Sequence, residues 1–202
     1  MDNGFNALKS WGIHVPDEYD SALEYLMQNY PDNMFYIDSC PYTVSSNEKY
    51  GQFEVFYQQV LQGKLSKKSF LELEIKYLNV IIELWLYNKI NVEFNSDWLW
   101  IRNKRRIVDK KYRKQLKDLI HKVKTTNIIE VTDRLELELI VQLGIRDVVS
   151  TTFYIENYEI LIDPSWSCFI VYFKNIDLKE VVKDIVMTEG LYLRPGKISL
   201  RE

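Results

Sequence analysis

The strongest periodic signal in the chain lies between Ser66 and Tyr87. Leu71, Ile75, Leu78, Ile82 and Trp85 recur at steps of four, three, four and three, and Leu73, Tyr77, Val80 and Leu84 line an adjoining face. Apolar residues at three- and four-residue steps stack on one side of a helix. Two such faces side by side predict a helix opened by Ser66 and apolar round most of its circumference, which belongs at the centre of a fold. A second stripe, formed by Tyr112, Leu116, Leu119, Ile120 and Val123, falls at i, i+4, i+7, i+8 and i+11. It predicts a helix over residues 109–124 that docks by one side.

Weaker signals add further helices. Pro16, Asp17 and Glu18 form a start signal, followed by Tyr19, Leu23, Leu26 and Met27 and stopped by Pro31. Residues 48–62 read as a helix weakened by Gly51 and closed by Gly63. Asp133 and Glu136 have capping-box spacing, with Asp in place of the usual Ser or Thr, and predict a helix ending near Gly144. The alternation of Leu135, Glu136, Leu137, Glu138 and Leu139 fits a strand as well. Asp177 caps a helix running through Val186, with Gly190 just beyond its end.

The texture changes near residues 125–127. From Thr151 to Phe173 the chain is dense in β-formers, with strands expected at 153–155, 160–162 and 168–173. Asn157 and the run Asp163, Pro164, Ser165 are the turn signals between them. Shorter strands are expected at 34–37, 128–131 and 191–193. A small hairpin is expected to join 92–94 to 98–101, and 40–47 reads as a loop. The expected class is α+β: a helix-rich amino-terminal half, about 1–125, packed on a carboxy-terminal antiparallel β-meander with two helices, about 126–202. Nothing at the boundary resembles a flexible linker, so residues 1–202 are expected to form a single domain.

Composition supports a real core without changing this picture. The chain has 202 residues, 47% hydrophobic and 27% charged. Its first residues lack a basic and then apolar leader pattern. The longest apolar stretch, 77–87, is about half of the roughly 20 residues a membrane span needs. Cys40 and Cys168 are isolated, and without a secretory signal they read as reduced and buried. The expectation is a cytoplasmic protein with no membrane partner.

Charge changes the picture more. Between Arg102 and Lys124 stand eleven Lys and Arg residues against Asp109 and Asp118, a local sum of +9 in a chain of net charge −3, leaving −12 elsewhere. On the helix predicted at 109–124, Lys110, Arg113, Lys114, Lys117, His121 and Lys124 fall away from the apolar stripe and span roughly 20 Å. Arg102, Lys104, Arg105 and Arg106 extend the charge upstream. Trp98 and Trp100, at i and i+2 of an expected strand, point the same way. They would make an aromatic anchor beside a cationic rim; the plainer reading puts both in the core. The candidate partner-binding residues are therefore Trp98, Trp100, Arg102, Arg105, Arg106, Lys110, Arg113, Lys114 and Lys117. The plain alternative is a solvated face whose lysines pair with the surplus carboxylates. For the basic window an acidic protein is a more natural partner than nucleic acid, since −12 surrounds it and dedicated nucleic-acid binders tend to be basic throughout. The acidic remainder would equally suit a basic toxin, so the expected partner is a protein of complementary charge, and the sequence does not choose the face.

Catalytic patterns are missing. Asp163, Ser165, Trp166 and Cys168 cluster in sequence, but a nucleophile there needs a base, and the only histidines are His14 and His121. The plain reading is a tight hairpin with a packed Trp and a buried Cys. Two histidines and two cysteines at unrelated spacings make no metal pattern. Glu72, Glu74 and Lys76 mimic the E-x-K arm of metal-dependent nucleases, but on a helix i and i+2 diverge by about 200°. No phosphate-binding loop is present. No catalytic residue, metal ligand or cofactor is assigned. In broad character, small and rich in Lys, Asn, Ile and Tyr, the chain is similar to small cytosolic bacterial proteins, among them some immunity proteins of toxin systems. The likeness is by analogy and shares no motif. The expected function is a non-enzymatic protein-binding protein, in its specific form an immunity-type protein that binds and occludes a toxin. The alternatives are a carboxylate- or metal-dependent nuclease-like enzyme and a nucleic-acid binder using the basic helix. An uncovered edge of the meander would offer strand addition as another binding mode.

Overall fold

A computed structural model describes residues 5–41, 55–95, 107–165 and 168–196. Its strands are β1 (Met34–Asp38), β2 (Ile90–Phe94), β3 (Ile128–Glu130), β4 (Thr151–Ile155), β5 (Ile160–Ser165), β6 (Cys168–Phe173) and β7 (Tyr192–Pro195). All pair antiparallel in one sheet of order β3-β2-β4-β5-β6-β1-β7. The helices are α1 (Phe5–Ser10), α2 (Ala22–Asn29), α3 (Tyr57–Leu61), α4 (Lys67–Leu86), α5 (Arg113–Val123), α6 (Arg134–Ile145) and α7 (Lys179–Thr188). The class is α+β, as the sequence predicts.

The pleat sorts the strand residues onto two faces. Ile37, Val92, Phe153, Ile155, Ile162 and Val171 join one core with Val80 and Ile81 of α4, Leu119 of α5, Leu139 and Ile140 of α6 and Val186 of α7. The register row Met34–Tyr172–Leu161–Tyr154 occupies the other face. It packs against Leu8, Trp11, Ile13, Val15, Ala22 and Leu26. The sheet is thus covered by four long or medium helices on one side and by the amino-terminal segment on the other. That is why all five residues of β4 are buried.

Several expectations are corrected. The meander β4-β5-β6 exists, but it lies inside the sheet, flanked by β1 and β2 from the first half of the chain. The sheet's edges are β3 and β7, of three and four residues, and short edges resist adventitious pairing. Asp163, Pro164 and Ser165 are not a turn. They extend β5, with Ser165 facing Cys168 across the pair. Pro164 is tolerated because β4 pairs with β5 only as far as Ile162, leaving Pro164 a neighbour on one side. Residues 166–167 lie outside the described residues, as does the 98–101 half of the expected hairpin. The neighbours of β2 are β3 and β4.

Helix boundaries move for identifiable reasons. The first predicted helix begins not at Pro16 but after Ser21, whose hydroxyl accepts from the Glu24 N–H at 3.1 Å. Within the described part of 48–62, only Tyr57–Leu61 is α-helical, closed by Gly63 at φ 69°. Asp133 accepts from the Glu136 N–H at 2.9 Å, so 134–145 is helix and the strand alternative falls. Asp177 does not cap the last helix: it lies in a 3-10 turn, Ile176–Leu178, that leads into α7 and is itself capped by Asn175, whose carboxamide oxygen accepts from the Asp177 N–H at 3.0 Å. In α4 the buried line is Phe70, Glu74, Tyr77, Val80, Ile81 and Leu84, while Ile75 of the predicted main stripe is 57% exposed. The adjoining face carries most of the docking; of the main stripe, Ile82 is buried in the same core and Leu78 and Trp85 pack against it. Cys40 and Cys168 take part in no disulfide and are half-buried rather than buried. No helix among the described residues is long and apolar enough to cross a membrane.

Candidate functional site

The basic helix docks as its periodicity predicts. Tyr112, Leu116 and Leu119 are buried, and Ile120 and Val123 pack against the same core. A 3-10 turn at Lys110–Tyr112 leads into α5. Lys110, Arg113, Lys114, Lys117, His121 and Lys124 are all exposed. At about 100° per residue those on the α-helix fall within an arc of roughly 100°, and Asp118 stands outside it. Among the described residues, no carboxylate stands in ion-pair distance of Lys110, Arg113, Lys114 or Lys117. Trp98, Trp100, Arg102, Lys104, Arg105 and Arg106 lie outside the described residues.

Two other lysines of the helical region behave differently. Lys111 reaches Glu138 of α6 at 3.3 Å and Lys122 reaches Glu136 at 2.6 Å. Glu138 also accepts from the Tyr112 hydroxyl at 2.7 Å and from Arg134 Nε at 3.0 Å. Burial alone would raise the Glu138 pKa; the hydrogen bonds from Tyr112 and Arg134 and the nearby Lys111 outweigh it and hold the carboxyl below its ordinary range. Burial, then Glu138, push the Tyr112 phenol up, so it remains a donor. Glu138 and one oxygen of Glu136 are thus engaged by one flank of the helix, and the other flank faces solvent.

The entrance to α5 is clamped by a buried polar cluster. Arg146, at the end of α6, has a side chain only 1% exposed. Its Nε and one terminal nitrogen donate to the two oxygens of Glu74 at 2.6 and 2.8 Å. Its terminal nitrogens also donate to Asp109 at 3.3 and 3.4 Å, and one donates to the Ile107 carbonyl at 2.7 Å. Gln142 adds bonds to Glu74 at 3.3 Å and to Asp109 at 3.0 Å, and the ring of Tyr57 lies 4.9 Å from the guanidinium carbon. Four elements therefore meet: α3, α4, α6 and the strand of chain that opens α5. Arg146 also lines a cavity of about 290 Å³ with Tyr57, Leu61, Ile107 and Asp147. Its donors are already committed to Glu74, Asp109 and Ile107, so it adds no anion-binding group to that cavity.

Burial alone would raise the Asp109 pKa as well, but the hydrogen bonds and charge of Arg146 outweigh it, and the carboxyl titrates below its ordinary value. A depressed carboxyl contributes stability above the unfolded-state pKa of about 4 and loses it as pH falls through the folded-state value. Asp109→Asn and Glu138→Gln are therefore expected to flatten the acid limb of the stability curve below about pH 4. Urea titrations across pH 2–6 check this. An acid limb as steep as the wild type in both variants would show that neither carboxylate is linked to folding.

This cluster was missed in the sequence, although a signal exists. Glu74 stands four residues after Phe70 and three before Tyr77, within an apolar line, and a carboxylate there demands a buried partner. The E-x-K resemblance dissolves as expected of a helix: Glu72 points outward to Lys68 at 3.9 Å, Glu74 inward to Arg146, and Lys76 to the Gly190 carbonyl at 3.4 Å. His14 and His121 are both exposed. Among the described residues no group of three or more His, Cys, Asp or Glu side chains is placed to hold a metal ion. Comparison with protein-family models, with curated proteins and with solved structures finds no match to this chain.

Proposed function

We propose that this is a non-enzymatic protein-binding protein that occludes an acidic partner with the exposed face of α5, a toxin-immunity protein being its specific form. One observation carries the reading: Lys110, Arg113, Lys114 and Lys117 are exposed on one side of a docked helix and have no carboxylate partner among the described residues. The plain alternative, a face neutralised by the fold's own acids, accounts for Lys111 and Lys122 but not for these four. Such a face would speed encounter through long-range attraction and exclude like-charged partners. The nuclease-like alternative needs carboxylates free to bind metal; Glu74 and Asp109 do converge, but both are bonded to Arg146.

The test is co-purification of the native partner with a tagged full-length chain, followed by binding kinetics. Reversing Lys110, Lys114 and Lys117 to Glu is expected to slow association by roughly 10-fold or more at low ionic strength, with a smaller effect in high salt. Unfolding stability is expected to change little, since surface substitutions are usually within about 0.5 kcal/mol each. A partner that binds the reversed protein as fast as the wild type would remove the basic face from the interface. Salt-sensitive binding of duplex DNA or RNA instead of a protein would favour the nucleic-acid reading.

A further inference from the structure

Lys110, Lys114, Lys117, His121 and Lys124 succeed one another at steps of four, three, four and three. That is the spacing of a coiled-coil seam, averaging 3.5 residues. On an α-helix such positions form a nearly straight row, drifting only about 20° per heptad. Lys114, Lys117 and His121 stand within α5, Lys124 follows its last turn in helical conformation, and Lys110 opens the 3-10 turn that leads into it. All five residues are exposed. Arg113 borders the row at its start, and Asp118, the one acid within α5, lies off it on the side toward Lys111 and Lys122.

The row is also held stiffly. Tyr112, Leu116 and Leu119 fix the rotation of the helix about its own axis. Lys111 and Lys122 tie its far flank to Glu138 and Glu136. Arg146 fixes its entrance through Asp109 and the Ile107 carbonyl. The charges therefore stand on a rigid axis of about 20 Å, and long side chains there lose less freedom on binding than they would on a loop.

We propose that the surface takes an acidic α-helix of the partner, with its carboxylates at the same alternating three- and four-residue spacing, laid along α5. This rests on the reading of the α5 face as a protein-binding surface. A second helix crossing at about 20° keeps its own three- and four-residue row opposite this one along the whole contact, which is the packing geometry of helix pairs. A duplex phosphate strand winds away from a straight row and meets only part of it. The apolar side of α5 is consumed by the core, so the contact is made of charge pairs and the aliphatic stems of the lysines, and it weakens with salt.

The test uses two alanine-based helical peptides of about 15–20 residues, long enough to cover the row. One carries glutamates at alternating three- and four-residue steps. The other carries the same number spread round the helix. Fluorescence anisotropy with the full-length protein at low ionic strength is expected to show the matched peptide binding at least about tenfold more tightly. K110E/K114E/K117E is expected to abolish that binding while leaving the far-ultraviolet circular dichroism unchanged. If both peptides bind equally and both are lost on charge reversal, the helical match is wrong and the protein-binding reading stands. If neither binds, or if the reversed protein binds both as before, both fall. Tighter binding of a duplex DNA of similar length than of the matched peptide would overturn both as well.

Discussion

Replacing Arg146 with methionine is expected to destabilise the protein by about 3–5 kcal/mol, the usual consequence of removing one partner of a buried ion pair. For a chain of this size that is a fall in Tm of roughly 6–20 °C. The reasoning starts from Glu74, whose side chain is 9% exposed and takes both of its short hydrogen bonds from Arg146. Without the guanidinium, Glu74 keeps the 3.3 Å bond from Gln142 and is left a buried charge with one long hydrogen bond. The Ile107 carbonyl loses its donor as well. Asp109 suffers less, because its side chain is more than a third exposed and can turn to water. The partner variant decides the mechanism. R146M/E74L removes both charges, and apolar replacements of buried pairs are often neutral or better, so the double variant is expected to recover most of the loss. Chemical denaturation of both proteins measures it. A single variant within about 1 kcal/mol of the wild type would mean that the cluster is not desolvated in solution.

The same cluster shows where sequence reading stops. The helix 134–145 was legible because its determinants are local: Asp133 and Glu136 are three residues apart, and the cap needs nothing else. The strands 153–155, 160–162 and 168–173 were legible because β-branched and aromatic residues crowd there, although burial of both faces removed the alternation that normally fixes register. The basic face of α5 was legible as periodicity plus charge. By contrast, Glu74, Asp109, Gln142 and Arg146 come together from separations of up to 72 residues, and no spacing rule joins them. The same limit hid the sheet order. That β1 pairs with β6 and β7, and β2 with β3 and β4, depends on contacts across most of the chain. Pro164 misled for a different reason: proline marks turns far more often than it sits in a strand, and here it survives only where the pairing of β5 with β4 has ended. For the candidate site, the upstream members Trp98, Trp100, Arg102, Arg105 and Arg106 fall outside the described residues, so the helix half of the set carries the proposal.

Leu119→Ala is the second substitution expected to have a large effect, about 2–5 kcal/mol, against a change within about 0.5 kcal/mol for Lys117→Ala two positions earlier. Leu119 is fully buried at the centre of the docking stripe, while Lys117 is exposed. The contrast matters because α5 has little local support of its own. It is 11 residues long, has no side-chain cap at its start and has no acidic residue in its first turn. Instead Arg113 and Lys114 stand at the positive end of the helix dipole, an arrangement unfavourable by about 0.3–1 kcal/mol per charge at low salt. A helix this short is marginal alone in water. Its persistence therefore rests on Tyr112, Leu116 and Leu119, and the apolar stripe offsets a charge pattern that local stability disfavours. That opposition is what a surface kept for binding would look like: the core side supplies the free energy that lets the outer side carry unfavourably placed cations. Equilibrium urea unfolding of the two variants checks the contrast, with hydrogen exchange of the α5 amides reporting whether the loss is local or global. Equal, small losses would show that α5 is not docked through Leu119, and the rigid cationic row would have no support beneath it.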